Sequence, residues 1–147
     1  MATLFLKRTL SGFAPVDAPS EEQTKKYKLG TICRAEIVKP RNYRHHCLFM
    51  SLLAITFDNQ DKFTDPQSFR RAVAFEAGHV KEFQTLDGEI LRVPLSYSYD
   101  ELPDEDEFTV KFGAAMTVCA KILHNMDHDE LAREVERYAD EHYGRTA

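Results

Sequence analysis

The stretch "KPRNYRHHCLFMSLLAITF" (residues 39–57) sets Lys39, Arg41, Arg44, His45, His46 and Cys47 at the threshold of a run that is otherwise largely apolar. Helix starts ordinarily attract acids, because the N-terminal end of the helix macrodipole is positive. Cations there cost a few tenths of a kcal/mol each, roughly, unless an anion meets them. With an anion in place the free backbone N–H groups and the cations converge on one negative group. Phosphate is the first such anion to consider. Lys25, Lys26 and Lys28 add charge from the preceding segment, and Tyr27 and Tyr43 stand among the cations. Aromatics interleaved with cations are what a single-stranded nucleic-acid groove uses to stack bases. Lys25, Lys26, Lys28, Lys39, Arg41, Tyr43, Arg44, His45 and His46, with Arg70 and Arg71 further on, therefore form a candidate nucleic-acid-binding set. The alternative is an internal anion: the acidic segment holding Asp100, Glu101, Asp104, Glu105, Asp106 and Glu107 folds over the cations, from the same chain or a second copy.

Other reactive residue types form weaker patterns. His45, His46 and Cys47 are consecutive, so on a helix they point in different directions and cannot all ligate one metal. His124 and His128 are four apart, but Asn125, Met126 and Asp127 between them read as a turn. His79, after Glu76-Ala77-Gly78, has the type of a general base, although a hydrogen bond at the head of a strand is the simpler role. The acids at 100–107 suit a metal-dependent nuclease in type, and equally the capping of a helix. There is no HExxH, paired-cysteine, Gly-rich phosphate loop or GxSxG motif. No metal or cofactor is expected, and a non-catalytic protein is the simpler reading.

The elements that must position these groups can be read from periodicity and punctuation. "TLFLKRT" (3–9) is β-type and ends at Ser11-Gly12, with a short extended return after it. "PSEEQTKKYKLG" predicts a helix with Ser20 as N-cap and Gly30 beyond its end. "TICRAEIV" (31–38) alternates as a strand. Asn42 caps a helix from about Tyr43 to Phe57, and Asp65-Pro66 opens another that runs to Ala77. Asp87-Gly88 marks a β-hairpin. Helices follow from about Glu105 to Asn125 and, capped by Asp127, to Tyr143. The order describes an α+β domain, a small mixed or antiparallel sheet with a hairpin packed against four to five helices.

A length of 147 residues is most simply one domain. No apolar run reaches membrane-spanning length. Cys33, Cys47 and Cys119 are odd in number and far apart, which indicates neither a disulfide framework nor a zinc site and points to a reducing cytoplasm. The net charge of −5 hides a polarity. Residues 1–50 carry nine Lys/Arg against four Asp/Glu, residues 51–95 five against seven, and residues 96–147 five against thirteen.

Glu76 to His79, Asp87-Gly88, Ser96 to Ser98 and Asp104 to Phe108 together resemble a family of phage and prophage proteins known only as a domain of unknown function. The basic Arg-Asn-x-x-His element, here Arg41 to His45, also looks like that family's N-terminal half. The likeness runs from about Leu4 to about Leu123. The chain departs from it in a shorter connection, about residues 58–65, between the apolar helix and the helix ending in Glu-Ala-Gly-His. A weaker likeness, in the basic element and in Phe69-Arg70-Arg71, is to the Orf (NinB) recombination proteins of lambda-like phages. It implies a dimeric, non-catalytic, DNA-binding accessory protein in recombination or replication, working in the host bacterial cytoplasm. Two alternatives remain beside it: a small acidic phage protein whose residues 100–107 engage a host defence or replication enzyme, and a metal-dependent nuclease.

Overall fold

A computed structural model describes residues 3–39, 42–98 and 101–144. The fold is α+β, with five helices and two small antiparallel sheets among the described residues. None of those helices is long and apolar enough to cross a membrane. The chain divides into two compact units, residues 1–39 with 139–147, and residues 40–138.

In the first unit, β1 (Leu6–Thr9) and β2 (Gly12–Pro15) pair in a hairpin, Leu6 opposite Pro15 and Thr9 opposite Gly12. Helix α1 (Ala18–Lys25) is capped by Asp17, whose carboxylate accepts from the Ser20 amide at 2.7 Å. The predicted cap, Ser20, is instead buried in the first turn. Its hydroxyl accepts from the Phe5 amide at 2.9 Å, tying the hairpin to the helix. The helix also stops at Lys25, short of the expected end, because no apolar stripe carries it further. The expected strand at 31–38 has no pairing partner among the described residues: residues 31–39 run exposed, with neither helix, turn nor ladder.

The second unit holds the core. Helices α2 (Tyr43–Asp58) and α3 (Pro66–Glu76) start where their predicted caps, Asn42 and Asp65, place them, and α4 (Glu105–Ile122) starts at the expected residue with Asp104 as its cap. Hydrogen bonds from the Ser68 hydroxyl and amide hold the Asp65 carboxyl below its usual range. Phe49, Leu52 and Leu53 of α2, Phe69 and Val73 of α3, and Phe108, Ala115, Cys119 and Ala120 of α4 form the buried cluster with Leu102. Leu131 and Val135 of α5 (His128–Tyr143) join it. Two hydroxyls buried in α2 are satisfied locally, Ser51 on the Cys47 carbonyl at 2.7 Å and Thr56 on the Leu52 carbonyl at 2.8 Å.

Helix α3 ends in a Schellman motif. Gly78 takes φ +76°, its amide bonds the Phe75 carbonyl, and the His79 amide bonds the Ala74 carbonyl at 2.8 Å. The chain then turns directly into β3 (Val80–Gln84), paired with β4 (Ile90–Pro94) so that Phe83 faces Leu91. Asp87-Gly88 turns this hairpin, with Gly88 at φ +86° and Thr85 closing the loop on Glu89. Helix α4 stops at Ile122, before the expected Asn125, because His124 and Asn125 are both left-handed (φ +59° and +58°) and the Met126 amide reaches back to the Ala120 carbonyl.

Burial pushes the Cys119 thiol up to about 11, and the Tyr97 phenol is raised for the same reason. Between the ordinary thiol value near 9 and the raised one, the folded chain holds a proton that the unfolded chain has released, so stability falls as pH rises through that window. Urea unfolding at pH 8 to 11 should show this loss, and Cys119→Ser should flatten it. At pH 8 a thiol reagent should label the exposed Cys33 fast and the buried Cys47 and Cys119 only on unfolding.

Candidate nucleic-acid interface at the start of α2

The first turn of α2 contains no acid of its own. Asn42 caps it, its side-chain oxygen accepting from the His45 amide at 3.1 Å and its carbonyl from the His46 amide at 3.1 Å. The missing carboxylate comes from α4. Glu105, the first residue of that helix, accepts from the Asn42 amide at 3.2 Å through one oxygen and from His45 Nδ1 at 2.6 Å through the other. An ionised carboxylate can only accept, so Nδ1 carries the proton in this pair. One side chain thus places negative charge at the positive end of α2 while sitting in the first turn of α4, where the dipole also favours it.

The His45 ring is fixed from its other sides by aromatics. It stacks on Phe112 at 5.1 Å between centroids and 23° between planes, and meets the edge of Phe108 at 5.2 Å and 81°. The contacts continue inward: Phe49 packs on Phe108 and Phe112, Tyr97 lies 4.4 Å from Phe49, and His79 lies 4.6 Å from Tyr97. His79 is buried, and its Nε2–H donates to the Ser96 carbonyl at 2.8 Å. The other ring nitrogen, Nδ1, has no partner among the described residues. The arrangement supports a positioning role at the head of β3.

The sequence-derived candidates fall into distinct settings. Tyr43, Arg44, His45 and His46 are half-buried together in the first turn of α2. Arg41 and Asp100 lie outside the described residues. Lys25, Lys26, Lys28 and Lys39 belong to the first unit and are exposed, and Lys25 is paired with Glu22 at 2.9 Å and Glu21 at 3.6 Å along its own helix. Of the acids, Glu101 accepts from the Ser96 amide at 2.6 Å, Asp104 caps α4 on the Glu107 amide at 2.8 Å, and Glu105 serves α2. Asp106 and Glu107 are exposed. No group of three His, Cys, Asp or Glu side chains able to hold a metal occurs among the described residues.

Arg70 and Arg71 are placed differently. Both are exposed on α3, with no acid within ion-pair distance among the described residues. The helix beneath them is held firmly: Phe69 packs on Phe57 and Phe63, and Gln60 clamps the short connection by bonding both the carbonyl and the amide of Phe63 at 2.7 Å. Sequence reasoning did not foresee a cleft of about 760 Å³ beside this connection, with Phe63, Val73, Glu76, Lys121 and His124 in its wall. The only advance signal was that the segment mixes aromatic and charged residues.

The chain matches no protein-family model, and no curated protein or solved structure is significantly similar to it. The Glu105 bridge makes a direct prediction. Glu105→Ala leaves the Asn42 amide and the His45 ring N–H without their acceptor, and should lower stability by about 1–2 kcal/mol in urea unfolding at an unchanged slope. An NMR signal from the His45 Nδ1 proton, expected in the wild-type protein because Glu105 holds it, should disappear in the same variant.

Proposed function

We propose that this protein is a phage-encoded, non-catalytic DNA-binding accessory protein of recombination or replication, and that Arg70 and Arg71 on α3 supply its principal phosphate contacts. One observation carries the reading. These two cations stand exposed on a well-anchored helix and make no close ion pair among the described residues, Arg71 only lying near enough to Asp65 to help hold its carboxyl down, whereas His45, the centre of the sequence-derived set, is already bound by the Glu105 carboxylate. Phosphate contacts supply most of the non-specific affinity for nucleic acid, and guanidinium groups match phosphate geometry bidentately. Arg44 and His46 at the start of α2 extend the cationic set, and Tyr43 beside them offers a ring for stacking. The likeness of Phe69-Arg70-Arg71 to the NinB pattern points the same way.

A second reading is favoured by the acids at the start of α4. Asp106 and Glu107 are exposed directly after Glu105, so a negative surface is presented next to the α2 cations. A protein with a basic channel would recognise such a surface, and inhibition of a host enzyme is the function that follows.

Titration of fluorescent single-stranded and duplex DNA across salt concentrations tests the first reading. Affinity should fall steeply with salt, and Arg70→Ala with Arg71→Ala should lower the slope by about 1.8 units for duplex DNA. Absence of binding at low salt, or an unchanged slope in the folded double variant, would remove α3 as the DNA-contacting element.

A further inference from the structure

Residues 31–39 form the one long exposed stretch of the first unit that the sequence marks as a strand and the fold leaves without a ladder. Ile32 is 98% exposed, Ile37 55% and Val38 56%. Among the described residues no backbone hydrogen bond involves Ile32 to Lys39. An exposed β-competent segment with unpaired N–H and C=O groups is a template for pairing with another chain.

The order of side chains in "TICRAEIVK" selects that chain. Laid antiparallel against an identical segment about a two-fold axis through Ala35, residue 34 stands opposite residue 36, 33 opposite 37, and 32 opposite 38. Arg34 then faces Glu36 of the second copy and Glu36 faces Arg34, so both charge pairs are opposite in sign. Ile32 faces Val38 on the same side of the ribbon, outside the charge pairs. On the reverse side Cys33 faces Ile37, Ala35 faces Ala35, and Thr31 faces Lys39. Opposite charges and β-branched pairs directly across a ladder stabilise it, and like charges in that position oppose it. A two-fold interface requires a self-complementary surface, and this segment has one in both charge and hydropathy.

We propose that residues 31–39 form an intermolecular antiparallel β-ribbon with the same residues of a second copy, centred on Ala35, and that this ribbon makes the protein a two-fold dimer. The ribbon uses none of the α3 or α2 cations and of the sequence-derived set takes in Lys39 alone, so the proposal stands apart from the α3 phosphate contacts. Arg34 and Glu36 are exposed in the single chain, so charge changes there leave the fold intact.

Sedimentation velocity over a range of concentrations tests it. The wild-type protein should sediment as a dimer that dissociates on dilution. Arg34→Glu places two glutamates opposite each other at both symmetric pairs, and should weaken the dimer by about tenfold or more. Glu36→Arg should do the same, and the double exchange Arg34→Glu with Glu36→Arg should restore dimerisation by re-forming both pairs with their signs swapped. In a Cys33→Ser background, mild oxidation should link Ala35→Cys chains in high yield and Glu36→Cys chains poorly, because only residue 35 meets its own copy across the ladder. A protein that is monomeric at every concentration overturns the proposal. So does a dimer indifferent to the charge reversals, or equal cross-linking at 35 and 36.

Discussion

A helix that begins with Tyr-Arg-His-His has to find its anion somewhere, and here the anion is the Glu105 carboxylate. It accepts from the Asn42 amide and from the His45 ring, and so joins the starts of α2 and α4 with a single side chain. The residues behind it are arranged to hold that junction. Phe108 and Phe112, one and two turns into α4, clasp the His45 ring, and Phe49, one turn beyond His45 in α2, packs against both of them. Charge at the surface and aromatic packing below it thus act on the same ring. A carboxylate alone at a partly exposed helix start contributes modestly; one whose partner is immobilised by packing avoids much of the entropy loss that weakens exposed ion pairs.

The rest of the second unit follows from where bulk is placed. Phe49, Phe108 and Phe112 fill the first half of the α2–α4 pair, and the residues that α4 buries further along are Ala115, Cys119 and Ala120. Small side chains let the backbones approach, and the hydroxyls of Ser51 and Thr56, folded back on their own helix, keep that approach free of unsatisfied polar groups. The raised Cys119 thiol and Tyr97 phenol are the chemical trace of this dryness. His79 connects the same packed layer to the hairpin, through Tyr97 on one side and the Ser96 carbonyl on the other.

Local signals were the ones legible in the sequence. Asn42, Asp65 and Asp127 all act as helix caps, Gly78 ends α3, and Asp87-Gly88 turns the hairpin, because each answers to a backbone need within a few residues. The misreadings came where a distant group competes. Ser20 has the right chemistry for a cap, but Phe5, fifteen residues away, takes its hydroxyl, and Asp17 caps instead. The left-handed pair His124-Asn125 carries no glycine to announce it. Residues 31–38 have a strand's alternation without a partner in the first unit. At the candidate site, the composition raised both an external phosphate and an internal carboxylate as anions for the α2 cations. Choosing between them for His45 required the pairing of residues sixty positions apart, which no periodicity encodes.

That separation has a temporal meaning. The α3–β3–β4 segment, residues 66–94, closes through neighbours: a cap at one end, a Schellman turn in its middle and a short hairpin loop. Such contacts form with little loop-closure entropy. The start of α2 is the opposite case, since its carboxylate arrives only when α4 docks across a loop of sixty residues. Until then its first turn has the Asn42 cap without the Glu105 carboxylate, so the end of α2 that carries Arg44, His45 and His46 gains its interhelical anchor only with the assembly of the whole unit. The cationic turn is therefore displayed in its final geometry only by a chain that has finished folding.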